Sequence, residues 1–357
     1  MIFDDMGGGI LDTADCGGLY IFLEVDDMNQ EAIVVENLSK HYRTRVKAEG
    51  LQAGVKALFA PQYKQVAAVN GISFTVQKGE MLAFIGPNGA GKSTTIKMLT
   101  GILHPSSGSM QVLEFNPAKE RRALCAHIGT VFGQRSQLWM HLPPVDSYAM
   151  IGAIYGIADD ERRKRVDVLA QRFDIGELLH TPVRKLSLGQ RIRCEIAASL
   201  LYEPDILFLD EPTIGLDVVV KQAIRELILE WNREKGITVF LTSHDPGDVE
   251  QICRRAMVID HGQVVLDQSV EHLKATYLNR KVITVKFFEP KILPEMNGVK
   301  VETTGLQSVL TVDLKVQPIG HVMQAVTAGG GVADITVNDP PMEEIITNIF
   351  TSREAGV

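Results

Sequence analysis

A chain of 357 residues is long enough for two domains that each bury a hydrophobic core. Hydrophobic residues make up 45% of it and charged residues 22%, as in ordinary globular proteins, and no apolar run approaches the roughly 18 residues that a membrane-spanning helix needs. The net charge of −8 is concentrated near the N-terminus, and the neutral remainder lacks the basic surface by which proteins bind nucleic acid, so no nucleic-acid partner is expected.

The N-terminal segment carries the excess charge. Residues 1–31 contain no Lys or Arg but eight acidic residues, namely Asp4, Asp5, Asp12, Asp15, Glu24, Asp26, Asp27 and Glu31. The segment also contains Gly7–Gly9 and shows no periodic apolar pattern. We therefore expect residues 1–30 to be a disordered acidic tail.

The cysteines and the N-terminus indicate a cytoplasmic protein. The four cysteines form no C-x-x-C pair and are expected to be reduced thiols; they are Cys16, Cys125, Cys194 and Cys253. No basic region precedes an apolar stretch at the N-terminus, so a secretory signal is not expected.

A glycine-rich loop follows the first strand-like segments, which are Ile33–Leu38, Gly71–Val76 and Met81–Ile85. The loop leads into a helical segment, Ser93–Leu99, and has the pattern G-x-x-x-x-G-K-S. Its residues are Gly86, Pro87, Asn88, Gly89, Ala90, Gly91, Lys92 and Ser93. In such a loop the backbone N–H groups surround the phosphates at the positive end of the helix. The strand–loop–helix context therefore predicts a site for a nucleoside triphosphate.

Side chains of this loop supply the rest of the phosphate chemistry. Lys92 places a positive charge on the phosphates, and the hydroxyl of Ser93 can ligate Mg²⁺. We assign Thr94, the next residue, to the same nucleotide site.

Short apolar runs bounded by turn residues alternate with helical patterns up to about Leu266. They are typical of buried parallel strands and are Ile128–Phe132, Ile206–Leu209, Thr238–Leu241 and Met257–Ile259. This alternation predicts an α/β domain with a parallel core sheet.

Two adjacent carboxylates follow the apolar run that ends at Leu209. Asp210, at the carboxyl end of the predicted strand, can hold Mg²⁺ beside Ser93. Glu211 points to the other face of the chain and can orient or deprotonate an attacking water. Beside a phosphate loop, this arrangement favours a nucleotide hydrolase over a simple acidic turn.

Two polar residues at the ends of other core strands could act together with Asp210 and Glu211. Gln134 could reach Mg²⁺ and the attacking water with its amide, although an isolated Gln after a strand is usually a surface residue. A neutral imidazole at His244 could contact the γ-phosphate, although such a residue is more often a neighbour of a helix cap.

A second anion site is predicted at the start of the helical run Arg191–Tyr202. The hydroxyl of Ser187 and the N–H of Gly189 lie at this helix N-terminus, in the sequence Leu186–Gln190. One chain cannot easily bring both anion sites to the same γ-phosphate, whereas two chains packed head to tail can.

The chain changes pattern after Arg280. Three segments there resemble strands (Val282–Phe287, Val309–Val316 and Val332–Val337) and two resemble helices (Gly320–Ala328 and Met342–Thr351). We interpret residues 281–357 as a small separate α+β domain.

Together these segments resemble the ATPase subunit of an ABC (ATP-binding cassette) transporter over about residues 31–270. The matching motifs stand in the family's order: Walker A Gly86–Ser93, Q-loop Gln134, signature Leu186–Gln190, Walker B Ile206–Asp210, catalytic Glu211, D-loop Gly215–Asp217 and switch His244. The resemblance also implies that Tyr42 stacks on adenine and that Gln190 belongs to the nucleotide-contacting signature.

The resemblance implies a fold and an activity. The fold is that of a P-loop NTPase of the ABC type over residues 31–275, with a parallel core sheet, an antiparallel β subdomain and a helical subdomain. The activity is hydrolysis of ATP with Mg²⁺ by a homodimer, in which each phosphate loop faces the partner's signature segment. Such a homodimer would lie at the inner face of the cell membrane beneath integral-membrane permease subunits, as in bacterial exporters of drugs and sodium.

Two features depart from the family pattern. The usual signature LSGGQ has Leu188 at its third position here, so we expect altered geometry with hydrolysis retained. In addition, 23 residues, Arg43–Gln65, stand where most relatives have only a few. This basic insertion, with an apolar face at Leu51–Phe59, could touch lipid headgroups or the permease, but a solvated loop with one apolar anchor is favoured.

The segment after Gln134 is expected to contact the permease. In the family this region forms a groove for a coupling helix, and Leu138–Met140 offers an aromatic residue with apolar neighbours. The same residues could instead belong to the core of the helical subdomain, Asp146–Phe173.

Two other functions are left open. Soluble ABC ATPases act on ribosomes or nucleic acid, but they carry two cassettes or an inserted coiled coil or zinc motif, which this sequence lacks. A regulatory subunit with vestigial hydrolysis is a further alternative, against which the presence of Glu211 and His244 argues.

Overall fold

The computed structural model describes residues 31–45, 63–133, 136–243, 245–277, 280–328 and 330–338. Five of the predictions lie outside these residues. They concern the acidic tail 1–30, the apolar face at Leu51–Phe59, Gln134, His244 and the helix Met342–Thr351.

The strands and helices of the described residues follow in chain order. The strands are β1 (Glu31–Arg45), β2 (Tyr63–Gln77), β3 (Met81–Ile85), β4 (Ser107–Val112), β5 (Ile128–Phe132), β6 (Ile206–Asp210), β7 (Thr238–Thr242), β8 (Arg255–Asp260), β9 (Gln263–Ser269), β10 (Arg280–Phe287), β11 (Val299–Thr304), β12 (Gln307–Asp313) and β13 (Val332–Asn338). The α-helices are α1 (Lys92–Leu99), α2 (Arg121–Leu124), α3 (Pro144–Ile154), α4 (Asp159–Arg172), α5 (Leu188–Leu200), α6 (Val218–Lys235), α7 (Pro246–Ile252), α8 (Val270–Tyr277) and α9 (Ile319–Thr327).

The central sheet has six strands in the order β5-β6-β7-β3-β8-β9. The first five are parallel, and β9 pairs antiparallel with β8. Every residue of β3 is buried. Because successive side chains of a strand point to opposite faces, Leu82 and Phe84 enter one hydrophobic core and Ala83 enters the other. The predicted parallel core sheet is confirmed, with a core on each face.

The first core lies between the central sheet and a three-stranded antiparallel sheet of order β2-β1-β4. Four phenylalanine rings meet there, with centroids 5.3–6.2 Å apart; they are Phe74, Phe84, Phe208 and Phe240. The apolar side of α1, including Ile96 and Leu99, closes the same core. Helix α1 is therefore held by packing as well as by its own hydrogen bonds.

Strands β1 and β2 extend much further than the predicted runs Ile33–Leu38 and Gly71–Val76. Their antiparallel ladder continues to the pair Arg45 and Tyr63, and the guanidinium of Arg43 lies 5.1 Å from the centre of the Tyr63 ring. The favoured interpretation of Arg43–Gln65 as a solvated loop was therefore wrong at both ends of the segment, because the end residues extend this strand pair. The strand pattern was missed because the end residues lack apolar alternation, and Arg43 and Tyr63–Gln65 are exposed.

The second core lies on the other face of the central sheet, against helices α3 to α6. The predicted helical subdomain Asp146–Phe173 contains two helices, α3 and α4. The Tyr148 hydroxyl of α3 donates to the carbonyl of Cys194 in α5, at 2.9 Å. Leu138 is 3% exposed within this core, while Trp139 and Met140 are 39% and 38% exposed. The expectation that Leu138 contacts the permease was therefore wrong, because that side chain packs inward.

The C-terminal strands form their own antiparallel sheet of order β11-β12-β10-β13, with α9 against one face. Its core is separate from the other two and includes Ile283, Leu310 and Val322. Strand β11 was not predicted. It is an edge strand, and none of its residues is fully buried, so its apolar pattern is weak.

Among the described residues, no helix is long and apolar enough to span a membrane.

Candidate functional site

A cleft of about 430 Å³ opens where strands β3 and β6 end. Most of its lining residues come from the phosphate loop with the start of α1, and from the end of β6 with the segment after it. They are Ala68, Asn88, Gly89, Gly91, Lys92, Ser93, Thr94, Lys97, Ile102, Phe132, Gly133, Asp210, Glu211 and Ile214. Parallel strands bring their carboxyl ends to one edge of a sheet, so residues more than one hundred positions apart meet here.

The path of the phosphate loop requires glycine at two positions. Gly91 has a φ of +112°, and a Cβ atom there would lie 2.5 Å from the carbonyl oxygen of Ala68. A Cβ atom on Gly86 would lie 2.2 Å from the carbonyl oxygen of Ile259. The tip of the loop, Pro87–Gly89, is exposed, whereas Ala90 is buried. The tip of the loop therefore faces solvent, while Gly86 and Gly91 at the two ends of the loop pack closely against neighbouring strands.

Lys92 is 5% exposed, and its ammonium donates to the carbonyls of Gly86 (2.7 Å) and Pro87 (3.2 Å). The Nζ atom lies 4.0 Å from a carboxylate oxygen of Glu211. Burial lowers the pKa of Lys92, and the carboxylates of Glu211 and Asp210 act in the opposite direction. The ammonium of Lys92 therefore lies beneath the loop tip and beside the carboxylate of Glu211, which also lines the cleft.

Ser93 and Asp210 meet as predicted. The Ser93 hydroxyl donates to Asp210 Oδ1 at 3.2 Å, and the hydroxyl of Thr242 donates to the same oxygen at 2.7 Å. Hydroxyl and carboxylate oxygens are ligands that Mg²⁺ prefers. The described residues contain no group of three His, Cys, Asp or Glu side chains that could hold a metal. This donor set fits a Mg²⁺ ion that takes its other ligands from water and phosphate.

Glu211 has a left-handed backbone, with a φ of +56°. This conformation costs about 1–2 kcal/mol for a residue with a Cβ atom. The backbone N–H of Glu211 donates to the carbonyl of Thr242 at 3.0 Å, which stabilises the turn. A strained residue held by its surroundings is a frequent feature of functional sites. The partly buried Glu211 side chain lies beside the Lys92 ammonium, at 4.0 Å.

The predicted second anion site lies at the N-terminus of α5. Ser187 and Gln190 form a capping box, in which each side chain accepts a hydrogen bond from the other residue's backbone N–H, at 3.2 and 2.9 Å. Gly189 is buried, and a Cβ atom there would lie 2.8 Å from Val220 of α6. Leu188, at the unusual third position, is 37% exposed and reaches Gly215. These signature residues lie outside the lining of the phosphate-loop cleft.

Tyr42 also lies outside the lining of the cleft. It pairs with Val66 in the β1–β2 ladder, is 38% exposed, and has the ammonium of Lys40 at 5.6 Å from its ring centre. Thr242, which was not predicted from the sequence, joins Asp210 to the backbone of Glu211. A polar residue that ends a buried strand is the signal that could have indicated it.

Comparison with protein families gives one match, to the model described as ABC transporter, over residues 69–214. The ABC transporter ATP-binding protein NatA of Bacillus subtilis is 33% identical over 215 residues, which are 60% of this chain and 87% of that protein. The daunorubicin resistance ATP-binding protein DrrA3 of Streptomyces coeruleorubidus is 29% identical over 81% of this chain and 92% of its own length.

Solved structures show the same fold. The cbiO1 protein of Clostridium perfringens, described as part of the ABC transporter complex cbiONQ, aligns with a TM-score of 0.57 and 30% identity over 69% of this chain and 92% of its own. The ATP-binding cassette MJ0796, solved with ADP and Pi, aligns with a TM-score of 0.57 at 23% identity, over 67% of this chain and 98% of its own.

Proposed function

The chain belongs to the family of ABC transporter ATP-binding proteins, and we propose that it energises a separate integral-membrane permease that exports its substrate. It binds ATP and is an ATP hydrolase of the ABC type. The observation that carries the proposal is the cleft that brings Lys92, Ser93, Asp210 and Glu211 together at one sheet edge.

The side chains of the cleft have distinct proposed roles. The loop Gly86–Ser93, with Thr94, surrounds the phosphates of ATP, and Lys92 neutralises their charge. Ser93 and Asp210 hold Mg²⁺, which, when bound, offsets the negative charge that develops on the transferred phosphoryl group. Glu211 orients the attacking water and accepts its proton.

Three further residues complete the proposed site. Gln134 and His244 both lie outside the described residues. In the proposed site, Gln134 contacts Mg²⁺ and the attacking water, and His244 contacts the γ-phosphate. Tyr42, although outside the cleft lining, stacks on adenine at the exposed end of the β1–β2 pair.

We propose that the working form is a homodimer. Ser187, Gly189 and Gln190 lie outside the lining of the cleft that contains Lys92, so these signature residues would act on nucleotide held by a second copy. An exposed apolar patch joins the signature to the segment after Glu211; it consists of Leu188 (37% exposed), Ile214 (51%), Val218 (78%) and Val219 (78%). A second copy packed head to tail would cover this patch.

The proposed permease contact is the exposed pair Trp139 and Met140. Both follow Gln134 closely and stand beside the buried Leu138. An aromatic residue anchored by a buried neighbour suits the centre of an interface. Export is proposed because one relative is named for resistance to daunorubicin, and a transporter confers resistance by removing a drug.

Two variants test the chemistry. Glu211→Gln removes the proton acceptor while keeping the size of the side chain, so ATPase turnover should fall by roughly 100- to 10,000-fold with ATP binding retained. Lys92→Ala should lose ATP affinity itself in a direct binding assay. Turnover near the wild-type rate in Glu211→Gln would overturn the assignment of the catalytic residue.

A purification from membranes tests the partner. Affinity-tagged Glu211→Gln would be isolated in mild detergent with ATP, with Lys92→Ala as the control that does not bind nucleotide, and the co-purified proteins identified by mass spectrometry. Polytopic membrane proteins in stoichiometric amounts support the permease. Ribosomal proteins, nucleic acid or no partner would overturn it in favour of a soluble ABC ATPase.

A further inference from the structure

A buried carboxylate, Asp248 of α7, lies next to the candidate site but outside the cleft lining. It has no exposed surface and accepts three hydrogen bonds. The hydroxyls of Thr213 and Ser243 both donate to its Oδ2 atom, at 2.5 and 2.6 Å, and Arg225 Nε donates to Oδ1 at 2.7 Å. The donors are themselves buried, with exposures of 1%, 2% and 6%.

These donors come from three different elements. Thr213 stands two residues after Glu211, in the segment that follows β6. Ser243 follows β7 and directly precedes His244 in the chain. Arg225 lies in the long helix α6. One carboxylate therefore joins the segment that carries Glu211, the segment that leads to His244, and a rigid helix.

The residue on the other side of position 244 is also held by α6. Asp245 lies 3.2 Å from Arg225 Nη2, and its Oδ2 accepts a hydrogen bond from Lys221 Nζ at 2.5 Å. Burial alone would raise the pKa of Asp245, but the hydrogen bonds from Lys221 and the Gly247 N–H, together with the charges of Lys221 and Arg225, outweigh it and the pKa is lowered. Ser243 is thus held through Asp248, and Asp245 is held through α6.

Burying a carboxylate is costly unless hydrogen bonds and an opposite charge compensate it. A hydrophobic side chain at position 248 would close the same space without that cost. The two hydroxyls converge on a single oxygen, so a displacement of either segment relative to the other stretches at least one of the two hydrogen bonds. The arrangement sets a distance between two segments, which simple packing against α6 would not do.

We propose that Asp248 is a positioning residue for ATP hydrolysis, which sets the segment carrying Glu211 relative to the segment carrying His244. The inference rests on the proposed function of the cleft, because it assumes that both segments act on the γ-phosphate. A displacement of about 1 Å in such a constellation lowers a rate on the order of 100-fold. The effect is expected on kcat and not on nucleotide affinity.

The most direct substitution, Asp248→Asn, leaves the buried Arg225 without its charge partner and can prevent folding. The decisive variant is therefore Thr213→Val, which keeps the side-chain shape and removes only the hydroxyl. Thr213→Ser restores the hydroxyl. The matched control is Thr100→Val, because Thr100 is also buried (2% exposed) but donates to Ile96 of its own helix, at 2.9 Å.

Each variant would be measured for kcat, for the Kd of ATP and for melting temperature. We expect Thr213→Val to lower kcat on the order of tenfold with a Kd within about twofold of wild type, Thr213→Ser to recover most of the loss, and Thr100→Val to keep kcat. Adding Ser243→Ala to Thr213→Val should lower kcat by less than the product of the two separate effects, because both hydroxyls act on one oxygen.

The possible failures are distinguishable. A wild-type chain without ATPase activity would overturn the proposed function together with this inference. Active wild type with equal kcat in Thr213→Val and Thr100→Val would overturn the inference alone. A parallel loss of ATP affinity and kcat in Thr213→Val would also overturn it, because the hydroxyl would then serve general stability.

Discussion

Replacing Gly91 by Ala tests how the phosphate loop is built. The new Cβ atom would impose a left-handed φ of +112° on an alanine and lie 2.5 Å from the carbonyl oxygen of Ala68. The conformation costs about 1–2 kcal/mol, and relief of the overlap with backbone costs about 1–3 kcal/mol more. We therefore expect the free energy of unfolding to fall by about 2–5 kcal/mol.

The matched variant is Gly89→Ala, two residues away in the loop tip. Gly89 has a similar φ of +85°, but no atom lies within 4 Å of its added Cβ. Its expected loss is therefore the conformational part alone, about 1–2 kcal/mol. Chemical denaturation of both variants without nucleotide measures the difference and keeps ligand contacts out of the comparison. Each kcal/mol corresponds to roughly 2–4 °C in melting temperature for a domain of this size.

Equal losses in the two variants, within about 0.5 kcal/mol, would refute the reasoning, since the contact with Ala68 would then have no energetic effect. ATP binding gives a second readout. The backbone N–H groups of the loop must all point at the phosphates to bind them. Because Gly91→Ala displaces the loop, it is expected to weaken ATP binding more than Gly89→Ala does.

Three further predictions concern the core, the signature helix and the thiols. Phe240→Ala should lower the free energy of unfolding by about 3–5 kcal/mol in chemical denaturation, since its ring packs against three others. Ser187→Ala should cost about 1 kcal/mol in the same assay without nucleotide, because the capping box is lost. At pH 8 a thiol reagent should label the partly exposed Cys125 and spare Cys194 and Cys253. Both of these thiols are buried, and burial raises the pKa of Cys194 to about 11 and also raises the pKa of Cys253, which disfavours the reactive thiolate at that pH.

Each of these predictions has a control. Ile154→Ala, at a side chain that is 70% exposed, should change stability by less than about 0.5 kcal/mol; a loss as large as that of Phe240→Ala would contradict the core assignment. Ser187→Thr should keep most of the capping energy, and a full loss there would point away from the hydroxyl. The labelling uses a Cys16→Ser background, and modification of Cys194 without denaturant would show that α5 is more open than described.

Features that depend on residues close together in the chain were predictable. The phosphate loop needs a strand before it and a helix after it, and strand β3, the loop and α1 are all present. The apolar runs of β5, β6, β7 and β8 are short and bounded by turns, and they form the predicted parallel strands. The carboxylates Asp210 and Glu211 follow from the end of one such run. Such local patterns can be predicted because residues close together in the chain determine the local backbone structure. The roles of the site residues and the boundary of the C-terminal domain remain predictions.

Other features depend on which strands become neighbours, which no local pattern states. Leu138 and Trp139 are both apolar and adjacent, yet only the packing of α3 and α5 makes the first buried and the second exposed. Thr242 reaches Asp210 because β7 lies beside β6 in the sheet.

The same holds for the network of Thr213, Ser243 and Asp248, which stand up to 35 positions apart and meet on one oxygen. The sequence by itself determined the family, the phosphate loop and the presence of parallel core strands. The tertiary structure decided which polar groups lose their water and must find partners among themselves, because burial is a property of the packed chain and not of any segment of it.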